Sequence, residues 1–397
     1  VVGVGRFTSP DAMVGQIRRG VLDLIGGARP SIADPFLPKK IDEGREDDIR
    51  ECIGCNICIS SWHDCVPVRC TQNPTIGEEW RRQWHPERVP LAQESATVLV
   101  VGGGPAGLEC ALTLGRRGYE VTLAEAEDEL GGRLRFETRL PGLATWSRVL
   151  HWRRDQLQRL NNVTVYRGNR LSADEVLELQ PNHVVVATGS RWMPLLYSPL
   201  EVPAGTLDSP NVYTPDDVAA GARLEGPVVV FDFDNYYMGS ALAEHLAKAG
   251  HPVSYVTPAG HASTWSALTN EQPQVYRALA AAGVPLHPLS RVESLTGGEL
   301  TLIQVFTGAR TRLPCGALVI VGARLPNDAL YQQLMARSEE LRAAGIASVT
   351  RVGDALAPGA IAHAVYSGHR YGREIDADAH ARVLRRDAPL RTASPPA

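Results

Sequence analysis

The chain has 397 residues, enough for two or three compact units at roughly 150 residues each. Forty Lys and Arg against 44 Asp and Glu leave a formal charge of −4, so there is no basic excess to neutralise nucleic acid or an anionic membrane. The longest apolar runs, residues 98–101 and 228–231, are strand-sized and fall short of the roughly 18–20 residues a bilayer demands; a soluble protein with neither nucleic-acid nor membrane partners is expected. Four of the seven cysteines fall between Cys52 and Cys65, unlike a secreted disulfide framework, and a reducing, cytoplasmic setting with a metal site fits better.

The chain opens on Val1-Val2-Gly3-Val4-Gly5 with no initiator Met and no charged leader, so it is expected to begin inside a longer protein. Residues 1–30 read as strand, helix, strand. Ser9-Pro10-Asp11 supplies an N-cap followed by Pro at the first helical position, and Gly20 ends the helix before a strand at 22–25. Each strand runs into a loop with Gly and Arg: Gly5-Arg6, then Gly26-Gly27-Ala28-Arg29. The pattern predicts the last two strands of a (β/α)8 barrel, whose loops hold a cofactor phosphate; an ordinary βαβ unit with surface arginines is the alternative.

Residues 31–97 show no clear period and are predicted to be an irregular segment held by its cysteines. From Thr97 the text alternates strand and helix. Strands are expected near 98–101, 121–124, 163–165 and 184–187, with an amphipathic helix over 105–117, as in a doubly wound parallel sheet. A similar cycle starts at Val228, where 228–231 through Gly250-His251-Pro252-Val253 parallels 98–101 through Gly118-Tyr119-Glu120-Val121. Strands near 318–321 and 348–352 are expected to return to the first sheet, so the second unit reads as inserted into the first. The expected divisions are 1–40 for the barrel end, 41–96 for the cysteine segment, 97–220 with 315–380 for the first nucleotide unit and 221–314 for the second. A flexible tail is expected from 381.

The strongest motif is Cys52-x2-Cys55-x2-Cys58-x11-Cys70. Three cysteines in seven residues let one tight loop present three thiolates to three irons of a cubane, and a distant fourth closes the site. Structural zinc usually takes two separated C-x2-C pairs. Cys65 rivals Cys70 as the fourth ligand but lies nearer the triplet, and Cys110 and Cys315 read as small core residues.

Gly102-x-Gly104-x-x-Gly107 follows a strand and opens a helix, with Glu125 ending the next strand. Glycines let the backbone approach a pyrophosphate, and the acid can accept from ribose hydroxyls. Ala187-Thr188-Gly189 and Gly353-Asp354 add the later turns of an adenine-nucleotide unit and do not separate FAD from ADP. In the second unit Asp232 and Asp234 stand where the first two glycines would be, and only Gly239 survives. Carboxylates there would repel a pyrophosphate, and Thr257-Pro258 offers neither an acid for NAD nor an Arg for NADP, so the unit reads as a relic. His63, His363 and His369 read as packed or solvated, and no catalytic constellation stands out.

Together these residues resemble the trimethylamine dehydrogenase group of iron–sulfur flavoproteins, most specifically in Ala28-Arg29-Pro30-Ser31-Ile32-Ala33-Asp34-Pro35, Glu51-Cys52-Ile53-Gly54-Cys55-Asn56 and Phe233-Asp234-Asn235-Tyr236-Tyr237-Met238. The resemblance implies a barrel with attached FMN, a 4Fe-4S cluster at its edge, ADP in the first nucleotide unit, a homodimer, and electrons leaving to an electron-transferring flavoprotein as a small amine is oxidised. The related dienoyl-CoA reductases share the layout with FAD and NADPH, and the degenerate second unit favours the amine branch. By position, Cys52, Cys55, Cys58 and Cys70 would bind the cluster. Gly102, Gly104, Pro105, Ala106, Gly107, Glu125, Gly132, Thr188, Gly189, Gly353 and Asp354 would bind ADP or FAD, and Gly5, Arg6, Gly27 and Arg29 would lie near the FMN phosphate. Six barrel strands and the amine-handling residues are absent, so this chain alone is expected to lack the substrate site. A separate electron-transfer subunit is the remaining alternative.

Overall fold

The structure, a computed structural model, describes residues 1–5, 7–81, 84–198, 201–207 and 209–377, without the side chains of 197–198 and 201–206. Arg6 and the tail from 381 lie outside the described residues. Among the described residues no helix is long and apolar enough to cross a membrane.

The chain starts with a two-stranded parallel ribbon, β1 (Val2–Val4) against β2 (Leu24–Gly26), in register from Val2 with Leu24 to Val4 with Gly26. Helix α1 (Pro10–Arg18) joins them. Its Ser9 cap accepts from the Ala12 N–H, and Pro10 stands at its start, as the sequence implies. Val2, Val4 and Leu24 remain largely exposed.

Among the described residues, the segment predicted to be irregular takes in the end of a short helix, α2 (Ala28–Ala33), and holds α3 (Leu37–Asp42), a 3-10 turn at Glu46–Asp48 and α4 (Ile57–His63). None is long enough to show a period, which explains the reading. A buried polar network also holds this region. Lys40 Nζ donates to Asp34 at 2.7 Å, to the Asp48 carbonyl at 2.9 Å and to Glu87 at 3.1 Å, and the Arg50 N–H donates to Asp34 at 2.9 Å. Such charges are tolerated in the interior because each finds several partners.

Two five-stranded parallel sheets follow. The first is built from β3 (Thr97–Val101), β4 (Glu120–Ala124), β5 (Val163–Tyr166) and β6 (His183–Val186), with a late strand, Ser348–Arg351, on the far side of β6. Helix α5 (Pro105–Arg116) crosses from β3 to β4, and α6 (Leu134–Glu137) and α7 (Arg148–Gln158) lie between β4 and β5. Strands β3 and β6 are nearly all buried, Val98, Val100, Val184, Val185 and Val186 at or near zero exposure, as expected for parallel strands covered on both faces.

The second sheet runs Val212–Tyr213, Ala317–Val321, Val228–Asp232, Val253–Val256, Leu286–His287. This corrects one expectation. Only residues 348–351 return to the first sheet; Ala317–Val321 pairs with Val228–Asp232, Val228 opposite Ala317 and Asp232 opposite Val321. The divisions at 220 and 315 therefore cut through the second sheet at Val212–Tyr213 and Ala317–Val321. An apolar run buried on both faces suits either sheet. Its entry decides: the Gly316 and Ala317 N–H groups donate to the Pro227 carbonyl at 2.7 and 3.2 Å, which seats the strand beside Val228. The chain then crosses back through a short antiparallel pair, Ser190–Trp192 with Arg324–Pro326. In sequence, the second sheet thus lies between β6 and Ser348–Arg351.

Candidate functional site

The first site is a cavity of about 1170 Å³ at the carboxyl ends of the first sheet, lined among others by Gly102, Gly104, Pro105, Ala106, Glu125, Gly132, Thr188, Gly189 and Asp354. The motif glycines divide the work. Gly102 has φ +110°, and a Cβ there would stand 2.4 Å from the Ala187 carbonyl oxygen. A Cβ on Gly107 would meet the Gly102 oxygen at 1.8 Å, so this glycine allows helix α5 to pack on the strand. Gly104 faces open space. It begins α5 with no side-chain cap, and Pro105 fills the first turn, leaving the helix N-terminus to an anion.

Glu125 accepts from the Gly103 N–H at 2.6 Å and the Glu127 N–H at 2.9 Å, so its carboxylate shapes the loop besides lining the cavity. Gly107 and Gly353 stand behind the wall; Gly353 has φ +60° and packs against Ala106. Thr188 donates to the Asn327 carbonyl, linking this turn to the strand arriving from the second sheet.

Sequence reasoning passed over two arginines here, one in the cavity wall and one behind Asp354. Arg133, directly after Gly132, lines the cavity. Arg324 reaches Asp354 at 2.8 Å from the crossing strand, with Arg133 at 3.5 Å from the same oxygen. Asp354 also accepts from Ser190 at 2.8 Å and the Gly359 N–H at 3.1 Å. Its acceptor capacity is largely taken. Both guanidinium groups lie near the Trp192 ring; Arg133 also pairs with Glu137 at 2.9 Å, while among the described residues its Nη1 and Trp192 Nε1 are buried donors without a hydrogen-bond partner, left for a ligand acceptor in the cavity that both residues line. The Gly-Gly-Arg run was the available signal for Arg133. Arg324 had none, since its role depends on the crossing.

The second site is the cysteine loop. Gly54 and Asn56 have left-handed backbones, φ +73° and +54°, which wrap the chain between Cys52 and Cys58. Asn56 accepts from Arg29 Nη1 at 2.6 Å and donates to the Thr269 carbonyl at 2.8 Å, tying the loop to α2, just after the N-terminal ribbon, and to the second unit. Arg148 holds the other side, donating to the Cys52 carbonyl at 3.1 Å and pairing with Glu51 at 2.8 Å. Backbone N–H groups point at sulfur: Gly54 N–H to Cys52 Sγ and Gln72 N–H to Cys70 Sγ, both at 3.4 Å, and the Thr71 hydroxyl lies 3.2 Å from Cys55 Sγ.

Cys52, Cys55, Cys58 and Cys70 are linked as electrostatic neighbours, whereas Cys65 is exposed. Burial pushes the Cys55 thiol up to about 12 and Cys70 up to about 11, and raises Cys58, so a metal bound here would have to supply the energy that makes them thiolates. Among the described residues no three His, Cys, Asp or Glu side chains gather tightly enough to hold a single metal ion. A cubane spreads its thiolates over separate irons, and this donor set, with N–H groups aimed at sulfur, fits one.

Of the residues expected near an FMN phosphate, Gly5 follows β1, Gly27 precedes α2 and Arg29 donates to Asn56, while Arg6 lies outside the described residues. In the second unit Asp232 is fully buried, accepting from the Asn235 N–H at 3.0 Å and from the Tyr255 hydroxyl. Burial, then Asp234, pushes its carboxyl up to about 7. A Cβ on Gly239 would fall 2.4 Å from Asp232 Cγ, and Phe233 lies over Gly322. Cys110 and Cys315 are core residues, His369 is buried, and His63 and His363 are exposed.

Comparison with known proteins agrees with this arrangement. Residues 96–341 match the pyridine nucleotide-disulphide oxidoreductase family, and residues 1–48 the NADH:flavin oxidoreductase / NADH oxidase family. Dimethylamine dehydrogenase of Hyphomicrobium sp. (strain x) is 39% identical over 409 aligned positions, covering 95% of this chain and 55% of that protein. Histamine dehydrogenase from Rhizobium sp. 4-9 superposes with a TM-score of 0.93 at 48% identity, over 100% of this chain and 58% of that one. The 6-hydroxypseudooxynicotine amine oxidase of Pseudomonas geniculata N1 does so at 0.90 and 47%, over 95% and 56%. The chain spans little more than half the length of these relatives. It belongs to the pyridine nucleotide-disulphide oxidoreductase family, and it matches the C-terminal portion of trimethylamine, dimethylamine and histamine dehydrogenase-like flavoproteins.

Proposed function

We propose that this chain is the cluster-bearing and nucleotide-binding portion of an amine dehydrogenase, in which a small amine undergoes oxidative N-dealkylation or deamination at FMN and electrons leave through a 4Fe-4S cluster to an electron-transferring flavoprotein. The observation that carries the reading is the loop of Cys52, Cys55, Cys58 and Cys70 with N–H donors at sulfur, fastened through Asn56 to Arg29 in the N-terminal segment that matches the NADH:flavin oxidoreductase / NADH oxidase family. When bound, the cluster supplies one-electron steps between a two-electron flavin and its acceptor. The chain's part is to fix the cysteines, keep water from Cys55, and direct N–H groups at sulfur. Free thiols of this kind fit a reducing, cytoplasmic setting, and a homodimer is the assembly we infer.

For the cavity we infer ADP rather than FAD. Beyond the pyrophosphate a flavin dinucleotide needs acceptors for its ribityl hydroxyls, but Asp354 is occupied by Arg324, Arg133 and Ser190. Arg133, in the cavity wall with Nη1 unpartnered, suits a free terminal phosphate.

Reconstituted chain should contain about four iron and four sulfide. Cys70→Ser should lose most of that iron and Cys65→Ser little. Stoichiometric zinc without visible absorbance rules the cluster out.

A further inference from the structure

Gln72 follows Cys70 by two residues and is almost fully buried. Besides its N–H bond to Cys70 Sγ, its Nε2 donates at 3.0 Å to the carbonyl of Glu51, the residue before Cys52, and its Oε1 accepts from Arg153 Nη1 at 3.0 Å. One residue thus joins both ends of the cysteine loop. Arg153, on α7, is fully buried. It donates to the Gln72 carbonyl at 3.2 Å, to the Val149 carbonyl at 2.9 Å and to Glu109 at 2.7 Å.

Glu109 stands on α5, the helix whose N-terminus opens the nucleotide cavity, and is 2.8 Å from His369 Nδ1; Arg373 Nε donates to His369 Nε2 at 3.1 Å. Burial alone would raise the Glu109 carboxyl, but Arg153 and then His369 bring it down to about 2. Burial lowers His369 to about 4, so at neutral pH this network holds an anionic Glu109, a neutral His369 and two guanidinium ions. The Arg153 guanidinium also interacts with Cys70. For stability alone a buried Arg–Glu pair is weakly justified, since apolar residues of similar volume do as well.

We propose that Gln72 and Arg153 are positioning residues for the cluster: Gln72 sets Cys70 against Cys52, and the fixed Arg153 cation raises the reduction potential. This rests on the reading of the four cysteines as cluster ligands. A four-thiolate cubane is an anion that gains further negative charge on reduction, so a dry, immobile cation beside one thiolate favours the reduced form, and N–H donors to sulfur act in the same direction.

The test is an electron paramagnetic resonance redox titration of the reconstituted full chain as wild type, Arg153→Lys, Arg153→Met and Gln72→Glu. Arg153→Met should lower the reduced-to-oxidised ratio at a fixed potential at least tenfold, equivalent to about 59 mV for one electron. Arg153→Lys keeps the charge and should stay within about threefold, equivalent to roughly 30 mV on the same scale. Gln72→Glu leaves Arg153 and Glu109 paired, so it carries the comparison if the Met variant does not fold. It should lower the ratio and shift the g-values. Full iron content with unchanged ratio and g-values in Gln72→Glu and in any folded Arg153→Met overturns the proposal while leaving the cluster reading intact. A wild-type chain that takes up no iron overturns both.

Discussion

The two parallel sheets of this chain have the same strand–helix–strand start and opposite outcomes. After β3 the chain places Gly102, Gly104 and Gly107 so that the helix packs closely and its N-terminus faces open space. After Val228–Asp232 it places Asp232, Phe233 and Asp234, and the side chains of Asp232 and Phe233 fill the room that a Cβ on Gly239 or Gly322 would need. Topology therefore does not make a nucleotide site. A few side chains at the strand's end decide whether the helix terminus meets a ligand or the protein itself.

The largest expected effect on this contrast comes from Gly104→Asp. Nothing lies within 4 Å of a Cβ there, so the fold should survive while a carboxylate enters the phosphate position. Calorimetry should show at least a hundredfold loss of ADP affinity, about 2.7 kcal/mol, and no NADPH binding before or after. Micromolar NADPH affinity that survives the substitution breaks the comparison and favours a dienoyl-CoA reductase reading.

Next come the packing glycines. Gly107→Ala drives a methyl into the Gly102 carbonyl, which is backbone, whereas Gly239→Ala meets the Asp232 side chain. Overpacking costs roughly 1–3 kcal/mol, and Gly107→Ala should stand at the upper end in denaturant melts. The reverse order would show that the second unit is the more tightly built.

Asp232 gives a pH-dependent contrast of similar size. Its folded value, near 7, is above its ordinary 3.8, so between these values the native chain keeps a proton that the unfolded chain gives up. Stability therefore falls as pH rises through this window. Asp232→Asn can still accept from the Asn235 N–H and donate to the Tyr255 oxygen, and it has no charge to bury. Relative to wild type it should gain about 2–3 kcal/mol between pH 5 and 7.5, read from denaturation at both pH values. Parallel curves would mean that Asp232 is ionised in place.

The smallest effect is expected at Glu125. Gln keeps one acceptor for the Gly103 and Glu127 N–H groups and loses the other, so ADP affinity should fall about tenfold, or 1.4 kcal/mol. A fall as large as that of Gly104→Asp would make this carboxylate, not the open helix terminus, the main determinant of binding.

Much of this site was legible because its logic is local. Gly102, Gly104 and Gly107 sit within six residues, and the four cysteines within nineteen; the backbone geometry such spacings demand leaves few alternatives. Asp232 was legible as an obstacle, though its burial against Tyr255 was not. Arg324 and Gln72 were silent, since an Arg on a strand and a Gln in a loop usually face water.

By itself, the sequence determined the two nucleotide-type units, the cysteine loop and the replacement of the second unit's motif glycines by Asp232 and Asp234, all of which depend on residues close in the chain. Tertiary structure alone decided that Ala317–Val321 joins the second sheet, because an apolar run carries no label for its partner and the Pro227 carbonyl seats it. It also decided that Gln72, Glu109 and Arg153 meet. Arg153 lies 81 residues from Gln72 and 44 from Glu109, and only the packing of α7 against α5 and the cysteine loop brings these polar groups into one dry interior, where each must find the others.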